Sequence, residues 1–251
     1  MYTSPILKVE NLNKSFGGIL ASRDVNLQVR EHEVHAVVGP NGGGKTTFMA
    51  QLSGILKPDS GQILFKGRNI TPLGTYKRVH IGIASSFQIT SIIQPMTMLD
   101  NVMLAVQSLQ GHSYRFWAPV SADTGMRDTA MKALEQVGLN RQADTIAGKS
   151  SHGEQRQLEI AMALALEPDL LLLDEPTSGM SKEESGEMVQ LLKKMKGKKT
   201  ILLIEHDMDA VFALADTTSV LVDGHIIATG TSEQIRSDRN VQQAYLGEET
   251  A

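Results

Sequence analysis

Nine consecutive residues, Gly39, Pro40, Asn41, Gly42, Gly43, Gly44, Lys45, Thr46 and Thr47, carry the most specific chemistry in this chain. Gly39, Gly44, Lys45 and Thr46 fit the spacing G-x-x-x-x-G-K-[ST] between a strand-like and a helix-like segment. Glycines let a backbone wrap closely around phosphate oxygens with its N–H groups turned inward. A helix opening at the loop adds unpaired donors and a favourable dipole. In that arrangement Lys45 reaches the β- and γ-phosphates, the Thr46 hydroxyl ligates Mg²⁺ and Thr47 adds a phosphate contact. The ligand so predicted is ATP or a similar nucleoside triphosphate with magnesium.

A second group supplies what such a loop needs for hydrolysis. In LLLLDEP, four apolar residues place Asp174 at the end of a strand, where ligands of parallel sheets gather. Asp174 is the candidate for holding Mg²⁺ through water. Glu175 follows and is the candidate general base for the attacking water. Gln88, just past another strand in SSFQIT, has an amide suited to the metal or the water. His206 follows the strand ILLIE and is suited to donate a hydrogen bond to the γ-phosphate. A lone His is more often a surface or core residue, and only its place in the order singles this one out. Ser151, His152, Gly153 and Glu154 open a strongly amphipathic helix shortly before the Asp174 strand. They read either as a simple cap or as a second anion site.

The elements that must position these residues follow from the apolar pattern. Strands are expected at Ile6–Glu10, Val25–Val29, Val34–Val38, Ile63–Phe65, Ile81–Ser86, Leu170–Leu173, Thr200–Glu205 and Thr218–Val222. Helices are expected at Lys45–Ile55, Leu99–Ser108, Arg127–Val137, Gly153–Leu166, Glu183–Met195 and Met208–Ala215. Alternating apolar strands and helices predict an α/β fold with a parallel sheet covered on both faces. The stretch 89–152 shows helices and no clear strand, so it reads as an inserted helical subdomain. One domain, 1–251, is expected, with 1–88 and 153–251 as its core. Gln110–Val120, with Tyr114, Phe116 and the one Trp, Trp117, reads equally as a packed loop or a docking surface. Lys193–Lys199 reads as a solvated helix end, where cations suit the dipole.

Composition removes several classes of function. The 251 residues include no cysteine, which excludes disulfides, thiol nucleophiles and thiolate metal sites. Net charge is −4, so no general basic excess draws the chain to nucleic acid. No secretory signal is legible at the start, and no apolar run approaches the ~18 residues of a membrane helix. Work at a membrane therefore requires another chain to span it.

Taken in order, GPNGGGKTT, Gln88, SSHGE, LLLLDEP and IEHD resemble an ABC-type ATP-binding subunit over essentially the whole chain. The resemblance implies a P-loop NTPase (RecA-like) core with an N-terminal antiparallel β region and an inserted helical subdomain. It implies a head-to-tail dimer, with ATP between the loop of one subunit and Ser151–Glu154 of a second ABC ATPase subunit. Phe16, in KSFGG, matches the aromatic that stacks on adenine. Some positions depart from the family pattern. Ser150 stands for the leading Leu of the signature, His152 for a Gly, Glu154 for a Gln, and Ser181 for an Asp in the following SGMS loop. HGEQRQLEIAMALALEP, SGMSKEE, IEHDMDAVFALAD and AYLGEE resemble the branched-chain (hydrophobic) amino acid uptake subfamily.

That likeness implies an importer ATPase on the cytoplasmic face of the membrane, peripheral to it. Two separate transmembrane permease subunits and an extracytoplasmic solute-binding protein are then the partners, and Ile89–Met98 the coupling surface. Transport of urea or short amides is the nearest alternative. A soluble ABC ATPase acting on DNA or ribosomes would need a long coiled coil or two cassettes, and neither is present. A binding-only cassette is disfavoured because Lys45, Asp174, Glu175 and His206 all stand. No NKxD guanine-reading motif occurs.

Overall fold

A computed structural model describes residues 5–86, 92–109 and 124–246. Gln88, the 110–120 aromatic segment and the end of AYLGEE lie outside the described residues. Two sheets organise the fold. The first is antiparallel, in the order β2 (Ile19–Val29), β1 (Leu7–Phe16), β4 (Ser60–Phe65) and β5 (Arg68–Asn69). The second has six strands in the order β10 (His225–Gly230), β9 (Thr217–Val222), β3 (Val34–Val38), β8 (Thr200–Ile204), β7 (Leu170–Asp174) and β6 (Ile83–Ser86). Its neighbours from β9 to β6 pair in parallel, and only β10 is antiparallel.

The central strands are apolar without a break because each face is covered. Leu170, Leu172, Leu202 and Ile204 pack with Phe48, Leu52 and the first sheet's Leu7, Val9 and Ile63. Their alternates, Leu171, Leu173, Ile201 and Leu203, face the helices on the other side. Period-two alternation thus divides the strands between two cores, as a buried parallel sheet requires.

The helices are α1 (Lys45–Ser53), α2 (Thr75–His80), α3 (Met98–Leu109), α4 (Thr124–Val137), α5 (His152–Leu164), α6 (Lys182–Met195), α7 (Met208–Leu214), α8 (Ser232–Ser237) and α9 (Arg239–Leu246). Buried residues of α3, α4 and α5, among them Val102, Leu134 and Leu158, share one cluster with the outer face of β7 and β8. The α/β class, parallel sheet and N-terminal antiparallel region expected from sequence are all present. β1 and β2 run well beyond their expected ends. α2, β5, β10, α8 and α9 were not anticipated.

α1 ends where Gly54 takes a left-handed conformation and Arg78 arrives from α2. The buried guanidinium donates to the carbonyls of Gln51 (2.7 Å), Leu52 (2.6 Å), Ile70 (3.1 Å) and Leu73 (2.9 Å). A cation at a helix C-terminus complements its dipole and satisfies carbonyls that have no partner within the helix. α1 is therefore fixed at its far end, which in turn fixes the loop at its start.

Candidate functional site

The loop 39–44 leaves the end of β3 at the centre of the large sheet and enters α1. Its path is constrained by neighbours. A Cβ on Gly39 would stand 1.9 Å from the Leu221 carbonyl oxygen, and one on Gly44 2.3 Å from that of Ala21. Gly44 also has φ 99°, a backbone state that L side chains rarely adopt. Gly43 accepts a hydrogen bond from Gly224 N at 3.1 Å, tying the loop to the β9–β10 turn.

The start of α1 is open. Gly44 provides no side-chain cap, and the first turn carries no acidic residue. The amides of Lys45, Thr46 and Thr47 are thus at a helix N-terminus suited to phosphate. The buried Lys45 ammonium lies back on the loop, donating to the carbonyl oxygens of Gly39 at 2.6 Å and Pro40 at 2.9 Å.

Asp174 ends β7, two strands from β3, and is 6% exposed. Burial, with the adjoining Glu175 charge, raises its carboxyl from the ordinary 3.8 to about 6, while Arg156 and Lys45 pull it down. Its Oδ1 is buried without a hydrogen-bond partner. A buried carboxylate oxygen in that state fits a water or a metal's water shell. Among the described residues no group of three or more His, Cys, Asp or Glu could hold a metal. A single carboxylate with the Thr46 hydroxyl suits Mg²⁺, which keeps several waters and takes phosphate oxygens as ligands.

Glu175 has φ 48°, the left-handed region that is uncommon outside glycine. Its amide donates to the Ile204 carbonyl of β8 at 2.9 Å, which anchors the turn. His206 Nδ1 lies 3.9 Å from Glu175 Oε2 and equally far from Glu205 Oε2, with its side chain 56% exposed. Lys45, Asp174, Glu175 and His206 thus gather around the ends of β3, β7 and β8. Phe16 lies at the tip of the β1–β2 hairpin, 50% exposed rather than in the core, with Lys14 Nζ 5.5 Å above its ring. An exposed aromatic face there is available for stacking.

Ser151–Glu154 form the first turn of α5. Ser151 is the N-cap and Glu154 completes a capping box. Gly153 N donates to Glu184 of α6, and His152 lies beside Gly179 of the SGMS loop.

Three residues of this region escape a motif search. Glu205 is fully buried and accepts from both the amide and hydroxyl of Thr177. Arg156 is buried on α5, 2.8 Å from Glu159, and its charge acts on Asp174. Glu184 joins two helix starts. Glu205 stood beside His206 in IEHD, but nothing in its position along the chain marked it as buried.

The comparisons with known proteins agree with this geometry. Residues 22–178 match the family model described as "ABC transporter", and residues 225–251 match "Branched-chain amino acid ATP-binding cassette transporter". The chain belongs to the ABC transporter family, as an ATP-binding subunit that hydrolyses ATP. Within it, the chain is 35% identical to the Escherichia coli (strain K12) high-affinity branched-chain amino acid transport ATP-binding protein LivG, covering 98% of this chain and 99% of the relative.

Among solved structures it is similar to the ADP conformation of MJ1267, an ATP-binding cassette of an ABC transporter. The TM-score is 0.87 and the identity 32%, over 98% of this chain and 100% of that one. It is also similar to the dimeric structure of MJ0796, a bacterial ABC transporter cassette, with TM-score 0.77 and 27% identity over 90% and 98% of the two chains. Cassettes of this family bind nucleotide, form dimers and work with transmembrane components. No helix among the described residues is long and apolar enough to cross a membrane.

Proposed function

We propose that this chain is half of a head-to-tail ATPase pair that powers import of branched-chain amino acids. The observation that carries the ATPase half is the facing of the open α1 start, with buried Lys45, and the buried Asp174 oxygen that has no partner.

In this reading the loop Gly39, Pro40, Asn41, Gly42, Gly43, Gly44 and Lys45, with Thr46 and Thr47, holds the triphosphate, and Phe16 stacks on adenine. Thr46 and Asp174, with Gln88, would hold Mg²⁺, which would neutralise phosphate charge. Lys45 leaves the Gly39 and Pro40 carbonyls for the phosphates. Glu175 accepts a proton from water as the water oxygen bonds to the γ-phosphorus. The bond from that phosphorus to the bridging oxygen breaks, leaving ADP and phosphate. His206 donates to the γ-phosphate from the same rim. Ser151, His152, Gly153 and Glu154 of the second subunit close the site.

The solute rests on likeness to relatives named for branched-chain amino acid transport and on the C-terminal family match. The partners are then two permease subunits and an extracytoplasmic solute-binding protein, with the pair on the cytoplasmic face. The helical subdomain, 89–152, is inserted between core segments 1–88 and 153–251, and Ile89–Met98 form the surface that couples to the permeases. ATP closes the pair and hydrolysis reopens it, a ligand-driven population shift.

Two experiments test this. Glu175→Gln removes the base and lowers ATP turnover by about 10²-fold or more, while ATP binding persists; unchanged turnover refutes the base assignment. Tagged protein from its native host co-purifies with membrane permeases, and their consistent absence refutes the transport reading.

A further inference from the structure

The starts of α1 and α5 are built in opposite ways. The α1 amides are uncapped, with no acidic residue in the first turn. At α5, Ser151 Oγ accepts from Glu154 N at 3.2 Å and Glu154 Oε2 accepts from Ser151 N at 2.9 Å. The intervening Gly153 N donates to a residue of another helix, Glu184 Oε1, at 3.2 Å. The other oxygen of the same carboxylate, Oε2, accepts from Ser181 N at 3.0 Å and completes the capping box of α6.

Gly153 is buried, and a Cβ there would stand 2.9 Å from Glu184 Oε1, so the carboxylate lies directly over the amide. His152 lies beside Gly179, its Cε1 3.4 Å from where a Cβ on that glycine would be.

We propose that Glu184 is a gating, positioning residue: its carboxylate occupies the Gly153 amide in the free subunit and must leave before the other subunit's triphosphate engages α5. The proposal rests on the head-to-tail reading above. Its physical basis is competition. One N–H has one strong acceptor direction, and a carboxylate already there excludes a phosphate oxygen. Glu154 and Glu184 also present negative charge to an arriving polyanion. Hydrogen bonds from the Ser181 and Gly153 amides hold the Glu184 carboxyl below the usual carboxylate range, so it is charged at neutral pH. It sits in the first turn of α6, where side-chain rotation towards water leaves the Ser181 hydroxyl cap on Glu184 N in place. Ser181 and Glu154 each take part in a capping box at a helix start.

The test is ATP-driven dimerisation of the full chain in a Glu175→Gln background, followed by light scattering. Adding Glu184→Gln keeps the size and removes the charge. The ATP concentration at half-dimerisation then falls about twofold to fivefold, while ADP binding to the single subunit is unchanged. An unchanged or raised midpoint with normal ADP binding overturns the gate, because a structural brace loosens α5 and weakens closure. Glu184→Asp, which retains charge but is too short to span both amides, lowers the midpoint if the Gly153 contact is the block. A Glu175→Gln parent that stays monomeric at saturating ATP overturns the head-to-tail reading itself, and the gate with it.

Discussion

Glu205 holds Thr177 by both its amide, at 3.0 Å, and its hydroxyl, at 2.5 Å. Glu205 follows β8, and Thr177 lies three residues beyond Asp174, so the pair binds the chain after β7 to the neighbouring strand. The carboxylate also accepts from His206 N at 3.1 Å. One buried group therefore holds both His206 and the turn that follows Glu175. Glu205→Ala is expected to lower ATP turnover by about 10²-fold, since ångström-scale misplacement costs that much. ADP affinity, measured by calorimetry, stays within a few-fold because the phosphate loop is untouched. Thr177→Val keeps the amide bond and costs about 1 kcal/mol in urea unfolding.

Asp174 makes stability depend on pH in a stated direction. Its folded carboxyl titrates at about 6, against the ordinary 3.8. Between those values the folded chain holds a proton that the unfolded chain has released. Stability therefore falls as pH rises through this window, and the full penalty stands above about 6. Asp174→Asn is expected to stabilise the nucleotide-free protein by about 1–3 kcal/mol at pH 7.5. That gain shrinks as pH falls through the window and vanishes below about 4. Urea unfolding at several pH values measures it. The same variant loses magnesium-dependent turnover.

Arg78 is expected to matter for stability far more than its distance from the loop suggests. Burial alone lowers its guanidinium to about 10, so it remains charged at neutral pH. Arg78→Met takes a donor from four carbonyl groups, of which those of Gln51 and Ile70 keep a backbone N–H, and costs about 3 kcal/mol. For a chain of this size that lowers the melting temperature by about 6–12 °C. Arg78→Lys rescues little, because one ammonium cannot reproduce a planar fork of donors.

Gly44→Ala is expected to abolish ADP binding while leaving the circular dichroism of the sheet and helices intact. The added carbon meets the Ala21 carbonyl at 2.3 Å, so the loop must move and the α1 amides move with it. Retained ADP affinity would show that the loop takes a different path.

The core strands were legible because burial on both faces leaves no polar alternation to confuse them. Val34–Val38 ends where the apolar run ends. β1 runs past Glu10 because, although Leu12 alone is buried in its second half, Asn11, Asn13, Asp24 and Asn26 hydrogen-bond across the hairpin. β10 is marked by Asp223 and Gly224, which, with φ 47° and 77°, form the kind of turn that joins hairpin strands. α2 has almost no apolar periodicity and depends on Arg78, a tertiary contact. Within the site, Lys45, Thr46, Asp174 and Glu175 follow from spacing. Glu205, Arg156 and Glu184 act through partners distant in the chain, which no local pattern encodes.

The position of β3 has a consequence for the birth of the protein. The strand before the phosphate loop lies between β8 and β9, with Val34 opposite Ile201 and His35 opposite Thr217. Both neighbours come from the last quarter of the chain. During synthesis at about 5–20 residues per second, β3 waits about 10–40 s for its flanking strands. Through that interval a run of apolar backbone has neither edge paired, a state that invites association with other nascent chains. The carboxylates of the site, Asp174 and Glu175, have not yet been made when the loop emerges. The sheet around the phosphate loop can thus close only when nearly the whole chain has been made.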